Sequence, residues 1–215
     1  MENESKMSKK MSKSRLAMEL SKLKVFESPK LNQEQYSTDS EVAASVLWNV
    51  YTLGDVEGKV IADLGCGTGI LGIGAILLGA KKVFFIDIDK TALEAAKMNL
   101  SKVKSENSGL GVAEFILGDI KEINLPEVKV VIQNPPFGTK IKHNDSLFVK
   151  KALEIAPIVY SFHKSESLVF FESFAAKKKT KITHVWDFKF PLKASFEFHR
   201  RQIHRIDVSC FRFEK

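Results

Sequence analysis

Cysteine is scarce in this sequence and long apolar runs are missing, and each shortage excludes a class of protein. The two cysteines, Cys66 and Cys210, form neither a disulfide framework nor a zinc pattern. No apolar run approaches the roughly 20 residues that span a bilayer, and the charged N-terminus lacks the apolar stretch of a secretory signal. The five histidines, His199 and His204 among them, show no metal-ligand spacing with carboxylates, so we expect no metal and interpret them as surface or RNA-facing residues. These absences predict a protein of the reducing cytoplasm.

The composition that remains is that of one soluble domain. The chain has 215 residues, 44% hydrophobic and 27% charged, which is enough to bury a large core. We find no internal repeat and no long linker. Residues 1–14, rich in lysine, serine and methionine, are expected to be a flexible basic tail. Residues 15–215 are expected to form a single domain that opens with a helical segment.

Positive charge is concentrated at the two ends of the chain. The net charge is +7, and residues 177–205 alone carry nine Lys or Arg against two acidic residues, a net +7. Residues 1–24 carry seven basic and three acidic side chains, a net +4. Basic ends around an acidic middle suit a polyanionic substrate, although solvated surface lysine explains the same counts.

Strands and helices are predicted to alternate along the chain. The alternation indicates a mostly parallel, seven-stranded, doubly wound sheet of Rossmann type with right-handed crossovers, closed at one edge by an antiparallel pair. Thr38 or Asp39 can cap a helix over 37–51, and Asp89 can cap the helix over 90–103. The predicted strands are 59–64, 82–88, 113–117, 128–133, 167–172, 182–190 and 205–213, and the predicted helices are 14–25, 37–51, 68–78, 90–103 and 145–160.

A glycine-rich turn follows the first strand, in the string Asp63-Leu64-Gly65-Cys66-Gly67-Thr68-Gly69. Glycines there let the backbone approach a ligand closely. The residues from Gly67 to Gly72 also match the dinucleotide pattern GxGxxG, but this is weak evidence for NAD, because the first glycine after the strand is Gly65 and the spacing from there is GxGxG. Asp63 would be a poor neighbour for a pyrophosphate, but it can meet the cationic methionine moiety of S-adenosylmethionine (SAM) through water or amide groups.

Two further carboxylates follow neighbouring strands. Asp87 ends the second strand, 22 residues after Gly65, where it can accept hydrogen bonds from both ribose hydroxyls. Asp119 follows the third strand, where it can accept from an adenine amine. Asp89 competes with Asp87 for the ribose, but helix capping explains Asp89 adequately.

The tetrad Asn134-Pro135-Pro136-Phe137 follows the fourth strand, at the strand end where ligands bind in open α/β sheets. The Asn134 side-chain carbonyl and the Pro135 backbone carbonyl can accept the two hydrogens of an exocyclic amine, and this favours a pyramidal nitrogen in the transition state. The prolines stiffen the loop, and Phe137 offers a face on which a flipped base can stack. Since SAM is already activated, no metal or protein nucleophile is needed.

These motifs resemble class I SAM-dependent methyltransferases that act on amino nitrogens, and most closely the family of methyltransferase-like protein five with its archaeal relatives. The resemblance extends from about residue 15 onward. It implies methyl transfer to adenine N6 in small-subunit ribosomal RNA, cofactor contacts from Gln35, Tyr36 and Thr38, and a small zinc-containing activator as a possible partner. The residues that carry the resemblance are 31–38, 63–69, 86–89, 134–140 and 160–164. The candidate RNA contacts are Lys140, Lys177, Lys178, Lys179, Arg200 and Arg201.

Several alternatives remain open. A guanine-N2 ribosomal RNA enzyme can also use NPPF, whereas glutamine-N5 protein methyltransferases more often show NPPY and DNA adenine enzymes DPPY. A non-catalytic ribosome-assembly factor that retains the fold is a different class, and the intact tetrad argues against it. A nicotinamide oxidoreductase would leave the tetrad without a role.

Overall fold

The computed structural model describes residues 11–26, 38–137, 144–192 and 204–215. Six helices surround one seven-stranded sheet within these ranges. The helices are α1 (Lys13–Ser21), α2 (Ser40–Thr52), α3 (Ile70–Leu77), α4 (Lys90–Glu106), α5 (Asn144–Ile155) and α6 (Leu168–Lys177). The strands are β1 (Val60–Leu64), β2 (Lys82–Asp87), β3 (Val112–Leu117), β4 (Val130–Gln133), β5 (Ile158–Lys164), β6 (Lys181–Leu192) and β7 (His204–Glu214).

The strand order β3-β2-β1-β4-β5-β7-β6 confirms the predicted fold class. Strands β1 to β5 are parallel, and β7 runs antiparallel to both β5 and β6. The chain moves outward from β1 to β3 and then crosses back to β4. The strand order therefore reverses between β1 and β4, and a crevice opens outside the carboxyl ends of these two strands, where such sheets bind ligands.

Two apolar layers bury the faces of the sheet. One core cluster joins α1, α2, α3 and α4 to one face, and a second joins α5 and α6 to the other. Both layers are needed because parallel strands are apolar on both faces; β4, for example, is buried along its whole length. The arrangement is a doubly wound sheet, as predicted.

The prediction was wrong between residues 156 and 172. The helix predicted over 145–160 ends at Ile155, because Pro157 cannot continue it, and the chain turns directly into β5. The strand predicted over 167–172 is the helix α6. Its buried positions, Phe171 and Ala175, are four residues apart, whereas Val169 is 73% exposed, which is a helical and not an alternating pattern.

The caps and the closing strand pair agree with the prediction. Asp39 and Asp89 cap α2 and α4 by accepting backbone N–H bonds. Strands β6 and β7 pair with Lys181 opposite Glu214 and Pro191 opposite Arg205, so these basic residues mark opposite ends of the hairpin. Within the described ranges, no helix is long and apolar enough to cross a membrane.

Candidate active site

The crevice at the strand reversal is built from the carboxyl ends of four neighbouring strands. The glycine turn follows β1, Asp87 ends β2, Asp119 follows β3 and the tetrad follows β4. The parallel register brings these ends to one edge of the sheet, with Leu64 opposite both Ile86 and Gln133. The sheet thus brings the glycine turn and the tetrad together, although Asp63 and Asn134 are 71 residues apart in the sequence.

The glycine turn needs its glycines for conformation and for packing. Gly65, Gly67 and Gly69 all have left-handed φ values, 66°, 53° and 88°. A Cβ on Gly65 would lie 3.0 Å from the Phe148 ring, and one on Gly67 would lie 2.9 Å from the Phe26 ring. Protein side chains therefore pack against the Cα positions of the turn. The sequence predicts close ligand approach at this turn, and the contacts with Phe26 and Phe148 are an addition from the structure.

Asp63 is a buried carboxylate with one oxygen unsatisfied. Its Oδ2 accepts a hydrogen bond from the Gly72 N–H at 2.8 Å, while Oδ1 has no partner among the described residues. Burial raises the pKa of Asp63 to about 7; the Gly72 bond opposes this rise, and the nearby Asp87 charge adds to it. An unpartnered buried carboxylate oxygen fits a cationic ligand group.

Asp87 holds the glycine turn and keeps spare acceptor capacity. Its two oxygens accept the N–H groups of Gly67 and Asp89, both at 2.8 Å. A carboxylate has about four acceptor positions, so two remain for hydroxyl groups of a ligand. Burial raises the pKa of Asp87, and the two N–H bonds oppose the rise. Asp119 is half-buried and accepts the Lys121 N–H through Oδ1 at 2.9 Å.

Asn134 has a fixed side chain and an unused carbonyl. Its Nδ2 donates to the Thr38 hydroxyl at 3.0 Å, which sets the rotation of the amide. Its Oδ1 is buried and meets no donor in the part of the chain that is described. Buried amide oxygens without a partner are uncommon, so this one has the geometry of an acceptor that awaits a ligand N–H.

The other three residues of the tetrad support this acceptor. Pro135 is buried, while Pro136 and Phe137 are half-buried. The Phe137 ring packs against the core cluster that contains α1 to α4, which orients the ring while part of its surface stays open. A ring held in this way can stack on a planar group without losing much side-chain freedom.

The strand next to the tetrad carries a buried histidine that we had expected at the surface. His163 at the end of β5 is fully buried, with its ring 3.9 Å from the Phe171 ring centroid and its Nδ1 3.5 Å from Asp145. Burial lowers the pKa of His163, and the nearby Asp145 opposes this shift. The Gln133 side chain donates to the Ser161 hydroxyl at 2.9 Å and so connects β4 with β5. Residues 11–26, 38–137, 144–192 and 204–215 contain no group of His, Cys, Asp or Glu side chains that could hold a metal.

The three candidate RNA contacts within the described residues lie away from the crevice. Lys177, Lys178 and Lys179 are exposed at the end of α6 and lead into the start of β6, on the sheet edge opposite the tetrad. Arg205 pairs with Pro191 at the other end of the hairpin. Five candidates lie outside the described residues: Gln35, Tyr36, Lys140, Arg200 and Arg201.

Sequence reasoning missed two features of this site. It assigned Thr38 to the cofactor and did not foresee the bond to Asn134, which spans 96 residues. It also overlooked Asn99, a buried amide on α4 that bonds to the carbonyl of Thr68 in the glycine turn at 3.0 Å. A signal for Asn99 was available, because it shares a helix face with the buried Ala92, Ala96 and Val103.

Comparison with known proteins places this chain among methyltransferases. The family model described as ribosomal protein L11 methyltransferase matches residues 20–134. An uncharacterized protein of Methanocaldococcus jannaschii is 39% identical, with 94% of each chain covered. The rRNA N6-adenosine-methyltransferase METTL5 of Danio rerio is 35% identical, covering 87% of this chain and 91% of its own. A crystal structure of a proposed RNA methyltransferase from Pyrococcus horikoshii is 41% identical, with a TM-score of 0.84 over 94% of this chain and 98% of that chain.

Proposed function

This chain belongs to the family of the rRNA N6-adenosine-methyltransferase METTL5, and from that premise we propose that it transfers the methyl group of SAM to N6 of an adenine in ribosomal RNA. The proposal includes small-subunit RNA as the target, as the resemblance implies, and the cytoplasm as the compartment. A small zinc-containing activator protein is a further partner that the resemblance implies.

The unused Oδ1 of Asn134 is the observation that carries this proposal. An exocyclic amine is a weak nucleophile because its lone pair is delocalised into the ring. An acceptor held in place by Thr38 can bind one amine hydrogen at the strand reversal, and the Pro135 carbonyl can bind the other. Such acceptors favour the pyramidal nitrogen, so they bind the transition state more strongly than the planar ground state.

The residues of the crevice fit SAM, which supplies an activated methyl group when it is bound. The unpartnered Asp63 oxygen suits the cationic methionine end, and the spare acceptor positions of Asp87 suit the ribose hydroxyls. Asp119 suits the adenine amine, and Gln35 and Tyr36 are further contacts that the resemblance implies. Burial raises the pKa of the Cys66 thiol well above its ordinary value, which disfavours the nucleophilic thiolate.

The match to the L11 methyltransferase model does not favour a protein target. It ends at Asn134, so it covers the strands that form the cofactor side and stops where the tetrad begins. The matches to METTL5 proteins extend over 87 to 91% of this chain, which is long enough to include the tetrad and β5. The longer match supports RNA as the substrate.

The decisive experiment incubates the protein and labelled SAM with unmodified ribosomal RNA, small subunits, ribosomal proteins and DNA, followed by nucleoside mass spectrometry. Asn134→Ala is the matched control. We expect N6-methyladenosine in RNA, and none with the variant. N2-methylguanosine would point to the guanine alternative, and label in protein to a protein methyltransferase. SAM binding without any label would support the non-catalytic assembly factor.

A further inference from the structure

Asn99 connects two segments that are distant in sequence. It lies on the buried face of α4 and is 3% exposed. Its Oδ1 accepts the Lys24 N–H at 2.8 Å, and its Nδ2 donates to the Lys24 carbonyl and the Thr68 carbonyl, both at 3.0 Å. The side chain therefore uses three of its four hydrogen-bonding positions, all of them on backbone groups outside its own helix.

These bonds fix the N-terminal segment against the glycine turn. Lys24 follows α1, and two residues later the Phe26 ring lies over Gly67, close enough that a Cβ there would be 2.9 Å away. Asn99 also bonds to Thr68, which lies between Gly67 and Gly69 in the turn. One amide thus sets the separation between residues 24–26 and the turn.

The position of Asn99 indicates a role beyond filling the core. Its neighbours on the buried face, Ala92, Ala96 and Val103, are apolar, and an apolar residue at 99 would continue the same packing. A buried polar side chain carries a desolvation cost unless all of its partners are well placed. Here the partners belong to a cofactor turn and to the segment that covers it.

We propose that Asn99 is a positioning residue that couples the N-terminal segment to the cofactor turn, so that affinity for SAM and its product S-adenosylhomocysteine (SAH) depends on residues 24–26. The inference rests on the proposed cofactor site. Asn99 touches no ligand in this scheme. It holds Phe26 over Gly67 and donates to the Thr68 carbonyl. These contacts keep the turn in the conformation that is also stabilised by the bond from the Gly67 N–H to Asp87.

The first test is Asn99→Ala, with SAH affinity measured by calorimetry and unfolding followed by thermal melting. Loss of the Lys24 and Thr68 bonds should weaken SAH binding about tenfold or more, whereas kcat at saturating SAM should stay within about twofold of wild type. Asn107→Ala is the matched control, since the Asn107 amide donates to the Val103 carbonyl of α4 at 2.9 Å and, among the described residues, has no bond to the glycine turn. We expect that control to bind SAH with unchanged affinity.

A second variant keeps the proposal testable if Asn99→Ala folds poorly. Lys24→Pro removes the N–H that Asn99 accepts and leaves the core of α4 intact. It should weaken SAH binding in the same direction, and combining it with Asn99→Ala should add less than the sum of the two losses. Hydrogen exchange at residues 24–26 should quicken in both variants.

The outcomes separate this inference from the proposed function. Absence of SAH binding by the wild-type protein would overturn the proposed function itself. Wild-type binding that Asn99→Ala leaves unchanged, in a folded protein, would overturn only the coupling. Equal losses in kcat and in affinity for both substrates, together with a lower melting temperature, would identify Asn99 as a core residue and also overturn it.

Discussion

The pH dependence of SAH binding is the most specific prediction of the structure, because Asp63 titrates near neutrality. Its pKa of about 7 arises chiefly from burial, against the opposing Gly72 bond, and its Oδ1 has no partner in the described ranges. A cationic amino group near Oδ1 requires the ionised carboxylate. Affinity for SAH should therefore fall as the pH falls below 7.

The size of the change in SAH affinity follows from the ionised fraction of the Asp63 carboxyl. With a pKa of about 7, the carboxylate is roughly nine-tenths ionised at pH 8 and roughly one-tenth ionised at pH 6. If only the ionised form binds, the apparent affinity should fall about tenfold between these values, or about 1.4 kcal/mol. Binding at pH 7 should also release about half a proton, because the ligand selects the ionised form.

Calorimetry at pH 6, 7 and 8, in buffers with different ionisation enthalpies, measures both quantities. Asp63→Asn should bind weakly with no such slope, since an amide does not titrate. Asp207→Asn removes an exposed carboxylate that pairs with Lys189 on the hairpin, and it should retain the wild-type slope. A flat wild-type profile, or a slope that persists in Asp63→Asn, would refute the assignment of Asp63 to the ligand ammonium.

Four further predictions concern the remaining groups. Asn134→Ala should lower kcat about 100-fold or more while SAH affinity by calorimetry stays nearly unchanged. Asp87→Ala should cost SAH binding roughly 1.5–3 kcal/mol by calorimetry, part of it through loss of the Gly67 bond. Phe137→Ala should weaken RNA binding by about 1–3 kcal/mol in a filter assay, through lost stacking. Lys178→Glu should weaken RNA binding and flatten its salt dependence without affecting SAH, and unchanged RNA affinity would make that lysine mere surface charge.

Sequence predicted the fold wherever one local signal was sufficient. Strands β1, β2 and β4 are short apolar runs bounded by turn residues, so both their type and their order were accessible. The stretch from 156 to 172 combined two ambiguous apolar segments. Pro157 was the correct signal for the end of α5, and the spacing of Phe171 and Ala175 was the correct signal for a helix. The prediction used neither signal.

The chemistry of the site was predictable, but the contacts that hold it were not. The tetrad and the acidic strand ends are local patterns, so sequence reasoning could identify Asn134 and Asp87 as candidates. The bond from Asn134 to Thr38 spans 96 residues and the bonds from Asn99 to Lys24 span 75. Such pairs depend on how helices pack over the sheet, which periodicity does not specify.

The distance between the exposed lysines at the end of α6 and the tetrad bears on the size of the substrate. Lys181 aligns through Glu214 with Ile158 at the start of β5, whereas the tetrad lies beyond the other end of the neighbouring β4. Because Gln133 pairs with Ser161, Asn134 lies about 13 Å along the strands from the level of Ile158 at 3.3 Å per residue. In the direction across the sheet, β6 lies three strand spacings of about 4.8 Å from β4. If Lys177, Lys178 and Lys179 bind phosphates, one RNA must reach across this distance while a base lies at Asn134. A mononucleotide or a very short oligonucleotide cannot do so, and a folded RNA can. If these lysines bind phosphates, the placement of charge favours a large structured RNA over a free nucleoside.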